Sequence, residues 1–141
     1  MMTRIAHCLC GALRAETMSE PALVLACHCR ECQWRTGAPF GVSVYFEKAH
    51  VRPDGTSKLY VRTAQEGRKL RLHFCPECGT TVYWDLDIRP DLMGVAFGAF
   101  SDPSLPSPTI SIWEESRHSW VEFGHELGRF PQQPSFARPA S

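Results

Sequence analysis

The sequence predicts a mainly β fold with little helix. Three observations carry this. Apolar and polar residues alternate over short runs, β-branched and aromatic side chains concentrate in those runs, and 10 glycines and 11 prolines in 141 residues interrupt them. Short strands with regular turn signals read as a sandwich or a folded sheet.

The elements follow in order. Residues 11–18 set Leu13 and Ala15 against Arg14 and Glu16, and residues 22–26 form a short apolar run. Arg30–Thr36 reads as about two turns of helix stopped by Gly37. Residues 40–46 and 58–62 are strand-like, the first rich in β-branched and aromatic residues. The clearest alternation is Lys69–Phe74, with Leu70, Leu72 and Phe74 on one face. Together with residues 80–84 it predicts a hairpin through Cys75-Pro76-Glu77-Cys78-Gly79. Residues 92–100 and 109–113 read as further strands across a proline-rich loop. The whole reads as one domain over residues 1–130, followed by a mobile tail over 131–141 with its three prolines.

Charge and hydropathy exclude several classes. Fifteen basic residues balance fifteen acidic ones, which gives no support to a nucleic-acid partner. No uncharged stretch exceeds 11 residues, and Thr36 to Phe46, which reaches that length, contains a proline and two glycines. A membrane span needs roughly 18. The N-terminus lacks an apolar core before a small-residue cleavage site, so a cytoplasmic location is expected.

Seven cysteines are the informative count, since an odd number without a secretion signal speaks against a disulfide framework. They fall into groups: Cys8 and Cys10; Cys27, Cys29 and Cys32; Cys75 and Cys78. A two-residue step along an extended chain puts both thiols on one face, and a three-residue step through a turn converges two sulfurs. In each outer pair a glycine, Gly11 or Gly79, follows the second cysteine, where a turn needs positive φ. Cys8, Cys10, Cys75 and Cys78 therefore suit a closed, structural Cys₄ zinc site. Cys27, Cys29 and Cys32 offer three thiolates and an open position, the pattern of a catalytic zinc. Four alternatives stand beside this. His28 or another histidine closes the triad, the triad borrows a cysteine from a pair, the ligated group is iron–sulfur, or the thiols are buried as small hydrophobes. Seven thiolates outweigh the charge of two zinc ions, which further weakens the nucleic-acid reading.

The joint pattern of Cys8-Leu9-Cys10-Gly11, Cys27 through Phe40, Phe74 through Thr80 and Ile112 through Trp120 resembles the glutathione-dependent formaldehyde-activating family. The resemblance spans about residues 5–130. It implies an Mss4-like (β-tent) fold of folded antiparallel sheets with zinc knuckles, and two Zn²⁺ per chain. It gives the outer pairs the structural ion and the triad the catalytic one. It also implies carbon–sulfur lyase chemistry like that of S-(hydroxymethyl)glutathione synthase, acting on a small-molecule, glutathione-like thiol and a small aldehyde such as formaldehyde. The alternative is a non-catalytic, zinc-stabilised thiol carrier or interaction module.

Arg30, Arg35 and Arg71 are nominated for an anionic substrate, and Trp34, Phe40, Trp113 and Trp120 for a pocket wall, each against the plainer roles of solvated surface and core. Glu31, His28 and His73 are nominated as proton handlers. Three thiolates leave a zinc site at net −1 and weaken it as a Lewis acid, so activation of a bound thiol is preferred over polarisation of the aldehyde.

Overall fold

The computed structural model describes residues 2–135. Eleven strands form two sheets. The smaller holds β1 (Arg4–His7), β2 (Arg14–Thr17) and β5 (Val51–Asp54), in the order β1-β2-β5. The larger contains β3 (Leu23–Cys27), β4 (Gly41–Glu47), β6 (Lys58–Thr63), β7 (Lys69–Phe74), β8 (Thr81–Leu86), β9 (Leu92–Ala96), β10 (Ile110–Ile112) and β11 (Gly128–Arg129). Its order is β11-β10-β3-β4-β9-β8-β7-β6. The expected mainly β architecture is present. Its pairing is not wholly antiparallel, because β10 lies parallel to both β3 and β11.

The helix α1 (Arg30–Thr36) ends at Gly37, whose φ of 67° makes the left-handed stop. The segment 92–100, expected as one strand, divides. After β9 the chain turns into a second helix, α2 (Phe97–Phe100). A continuous apolar run carries no period of its own, and the helical turn lets Phe100 reach the core beside Phe46. Three strands were not anticipated: β1, β5 and β11 are two to four residues long, and β5 contains Pro53. In the segment 131–141, the carbonyls of Pro131 and Gln132 accept hydrogen bonds from Glu115 (3.2 Å) and Trp113 (3.3 Å). Residues 136–141 lie outside the described residues.

The larger sheet buries both faces differently. One face packs on the smaller sheet through Val24, Val44, Phe46, Met93 and Val95 against Ala6, Leu13 and Ala15. The other carries a single row across six strands, running Tyr60, Leu72, Trp84, Gly94, Tyr45 and Leu23. Gly94 is the residue this row depends on. A Cβ there would stand 2.1 Å from Trp84 Nε1, so only glycine lets the indole lie across β9 toward the Tyr45 hydroxyl. Between β7 and β8 the register slips. Phe74 pairs with Thr81 and His73 with Tyr83, leaving Val82 unpaired, which keeps both Thr81 and Trp84 on the open face.

Gly94→Ala is expected to destabilise the protein by about 1–3 kcal/mol through overpacking on Trp84. Gly98→Ala, with open space at its Cβ position, is the control. Urea unfolding of both variants checks the difference.

Candidate metal centres and the pocket at the triad

The two outer cysteine pairs are built alike. In each, the first cysteine's amide bonds across the turn, Cys8 to the Leu13 carbonyl and Cys75 to the Thr80 carbonyl, both at 2.9 Å. The glycine after each second cysteine returns its amide to the first cysteine's carbonyl, from φ of 83° at Gly11 and 80° at Gly79. These two knuckles meet, and the four sulfurs of Cys8, Cys10, Cys75 and Cys78 lie within 4.8 Å of one another. Thr80 Oγ1 joins them, accepting from the Leu9 amide and sitting 3.3 Å from Cys78 Sγ. That hydroxyl holds the Cys78 thiol down to about 5. Cys10, although a backbone hydrogen bond at Ala12 favours its thiolate, is pushed up to about 12 by the sulfurs of Cys8 and Cys75.

The second group straddles the end of β3 and the start of α1. Cys27 closes the strand, Cys29 caps the helix by accepting from the Cys32 amide at 3.4 Å, and Cys32 sits in the first turn. Their sulfurs also lie within 4.8 Å, and among the described residues this group stops at three. Hydrogen bonds from Cys27 and then Cys32 hold Cys29 down to about 2, while the bond to Cys29 drives Cys27 far above the ordinary thiol range. Ionisation of one thiol thus opposes that of its neighbours. A soft divalent cation that replaces the shared protons satisfies all three, as it does for the four outer sulfurs, so both donor sets fit a thiolate-bound metal.

The triad opens into a pocket of about 570 Å³ on the free face of the larger sheet. The four-cysteine group stays out of it, contributing only Gly79 to the wall. Leu25, Tyr45, Leu72, Trp84 and Ile112 are among the apolar walls. Trp113 leans in from a left-handed backbone, φ 56°, a conformation costing a non-glycine residue about 1–3 kcal/mol and concentrated at functional sites.

With this geometry in place, the comparison with known families is specific. Residues 3–116 match the glutathione-dependent formaldehyde-activating enzyme family. The chain belongs to this family. A curated relative, an uncharacterised lyase of Schizosaccharomyces pombe, is 28% identical over 78 residues; the match covers 55% of this chain and about half (54%) of that protein. A solved Rhodobacter sphaeroides protein shares the fold, with a TM-score of 0.54 at 20% identity over 72% of this chain and 90% of the other. Among the described residues no helix is long and apolar enough to cross a membrane.

The family motifs sort into pocket and support. Of the nominated residues, Arg35, Glu31, Trp34 and Trp113 line the pocket, with Trp34 at its rim and 76% exposed. Arg30 lies on a neighbouring surface cleft beside Cys29. Arg71 and His73 point from the opposite face of β7: Arg71 pairs with Asp85 and Asp87, and His73 stacks on Tyr83 and meets Ser57 at 2.9 Å. Trp120 is 71% exposed beside His118, away from the pocket. Phe40 packs on His28 and Phe123. Sequence reasoning missed Arg62, Arg68, Tyr45 and Trp84 in the wall. Arg62, Tyr45 and Trp84 arrive through cross-strand pairing and Arg68 from the β6–β7 turn, which no local spacing reports.

His28 turns its side chain away from its neighbouring thiols and is fully buried. Its Nε2–H donates to Ser111 Oγ at 2.9 Å, and that hydroxyl donates to Glu114 Oε2 at 2.6 Å. Glu114 is held in turn by Arg129 at 2.8 Å and Arg117 at 3.5 Å. Burial pushes the His28 pKa down despite Glu114, so the ring is neutral, with Nδ1 lacking a hydrogen-bond partner beside Phe40 and Phe123. This chain of bonds ties the loop between Cys27 and α1, which carries Cys29, to β10.

Ser111→Ala removes the hydroxyl that links the buried His28 ring to the half-buried Glu114 and is expected to lower the unfolding free energy by about 1–3 kcal/mol. A loss under about 0.5 kcal/mol, the range of a neutral surface change, would show that the bonds do not hold the loop. Urea titration measures it.

Proposed function

We propose that the protein is a zinc-dependent carbon–sulfur lyase-type enzyme that forms and cleaves adducts of a thiol with a small aldehyde, resembling S-(hydroxymethyl)glutathione synthase. The observation that carries this is the contrast between the cysteine groups. Four sulfurs make a set that needs nothing more, whereas three sulfurs face a pocket large enough for a substrate. Cys8, Cys10, Cys75 and Cys78 would hold a structural zinc, and Cys27, Cys29 and Cys32 a catalytic one. Membership of the family and the lyase name of the yeast relative support the reading.

A zinc ion bound by the triad supplies a position at which a substrate thiol ionises below its free pKa of about 8.5. The chain's own residues do the rest. Arg35 and Arg62 flank the triad, their charges favouring the thiolates of Cys32 and Cys29 respectively. The apolar wall keeps water from the nucleophile. Glu31, held by Arg62 at 3.5 Å, is the carboxylate of the pocket wall that takes up the thiol proton. In the forward direction a C–S bond forms, the carbonyl π pair moves to oxygen, and that oxygen takes the proton. Cleavage reverses each transfer. Among the described residues no histidine lines this pocket, and that favours the second reading, a thiol carrier without turnover.

Two zinc ions per chain are expected by elemental analysis of reduced protein, and one ion or iron would contradict the assignment. Cys78→Ser should unfold or strongly destabilise the chain, because a structural zinc contributes folding free energy. Cys29→Ser should lose one ion and keep its β circular dichroism, since serine is itself a preferred helix cap and preserves that bond. Equal loss of structure in both would refute the division of roles. Exchange NMR of formaldehyde with glutathione at neutral pH then separates the two readings. Lowering a thiol pKa from 8.5 to 7 raises its ionised fraction roughly fifteenfold at pH 7, part of which lower nucleophilicity offsets. Wild type should accelerate exchange and Cys29→Ser should not; binding without acceleration would establish the carrier.

A further inference from the structure

The pocket's walls specify the thiol more narrowly than the family name does. Its surface is dominated by aliphatic and aromatic side chains, with Leu72, Phe74 and Trp84 leading away from the triad along the strand row. A tripeptide thiol such as glutathione presents two peptide groups, two carboxylates and an ammonium. Most of those would lose water against such walls without a partner.

The charges are equally selective. Glu31 is the acid of the wall, and Arg62, Arg68, Lys69, Arg89 and Arg35 are its cations. Arg62 pairs with Glu31, Arg68 with Glu66 and Arg89 with Asp91. The side chains of Lys69, which is exposed, and Arg35, which is half-buried, have no carboxylate partner among the described residues. The Arg35 guanidinium lies 4.9 Å over the Trp84 ring, and Nη2 occupies the space, 2.9 Å away, that a Cβ on Gly41 would contest. Gly41 pairs with Cys27, so this cation is fixed beside the triad and at the head of the apolar wall. A stacked guanidinium presents its edge donors to a planar anion.

We infer that the pocket selects a thiol with an aromatic or aliphatic body and a carboxylate close to its sulfur. Arg35 is the specificity-determining residue that binds the carboxylate, and Leu72, Phe74 and Trp84 receive the body. This rests on the proposed thiol chemistry of the triad, and the test keeps the two separable.

Tryptophan fluorescence of the zinc-loaded full chain is titrated with 2-sulfanyl-3-phenylpropanoic acid, with 2-phenylethanethiol (no carboxylate), with 2-sulfanylpropanoic acid (no ring), with 3-phenylpropanoic acid (no thiol) and with glutathione. The phenyl thiol acid should bind about tenfold or more tightly than each of the others, one charge-assisted bond or one buried ring accounting for about that factor. Arg35→Gln should weaken the acids about tenfold more than it weakens 2-phenylethanethiol, and Arg35→Lys should restore part of that difference. Glutathione binding as tightly as the phenyl thiol acid would overturn the inference while sparing the thiol chemistry. Equal weakening of acids and neutral thiol in Arg35→Gln would overturn the role of Arg35, reducing it to a charge that steadies the cysteines. Equal affinity for 3-phenylpropanoic acid and its thiol would instead refute the thiol chemistry and leave the acid-and-ring selectivity standing.

Discussion

The crowding of sulfur is the constraint on which the rest of the structure depends. Two thiolates about 4 Å apart repel by about 4 kcal/mol at an effective dielectric of 20, so neither group can ionise fully by itself. Sharing protons within a group is one answer, and the opposed shifts of Cys29 and Cys27 follow from it. A cation answers it better, and the two groups are placed so that the answer has different consequences. Closing the outer four joins the turn before β2 to the β7–β8 turn, 65 residues apart at Cys10 and Cys75. Closing the triad joins only the end of β3 to the first turn of α1.

Much of this was legible in the chain because it is local. The glycines at 11, 37 and 79 each take the positive φ that their place after a cysteine pair or a helix demands. The Lys69–Phe74 alternation and the turn after it form the hairpin they suggest. The separation of Leu70, Leu72 and Phe74 from Arg71 and His73 was equally legible, but not which face mattered. Apolar residues on one side of a strand ordinarily mean core, and charged ones a site. Here the apolar side lines the pocket and the charged side is tied to Asp85, Asp87, Ser57 and Tyr83.

What the sequence could not report is long-range. Arg62 comes to the triad from the edge strand β6, and Tyr45 and Trp84 meet only because β9 separates their strands with a glycine between them. Ser111 and Glu114 stand behind the triad because β10 enters the sheet parallel to β3, a pairing that places Ile112 beside Cys27. The short strands and α2 escaped for a related reason: runs this brief have no period, and tertiary packing decides them.

The central claim is that one metal site is closed and the other keeps a position open to the pocket. Cadmium-113 NMR of the cadmium-loaded protein tests it most directly, because the shift reports how many sulfurs surround each ion. The account predicts two resonances, one at the far downfield position of four sulfurs and one upfield of it. Adding a thiol should move only the second, downfield toward the first. Two four-sulfur resonances from the outset, or two that no thiol moves, would contradict it.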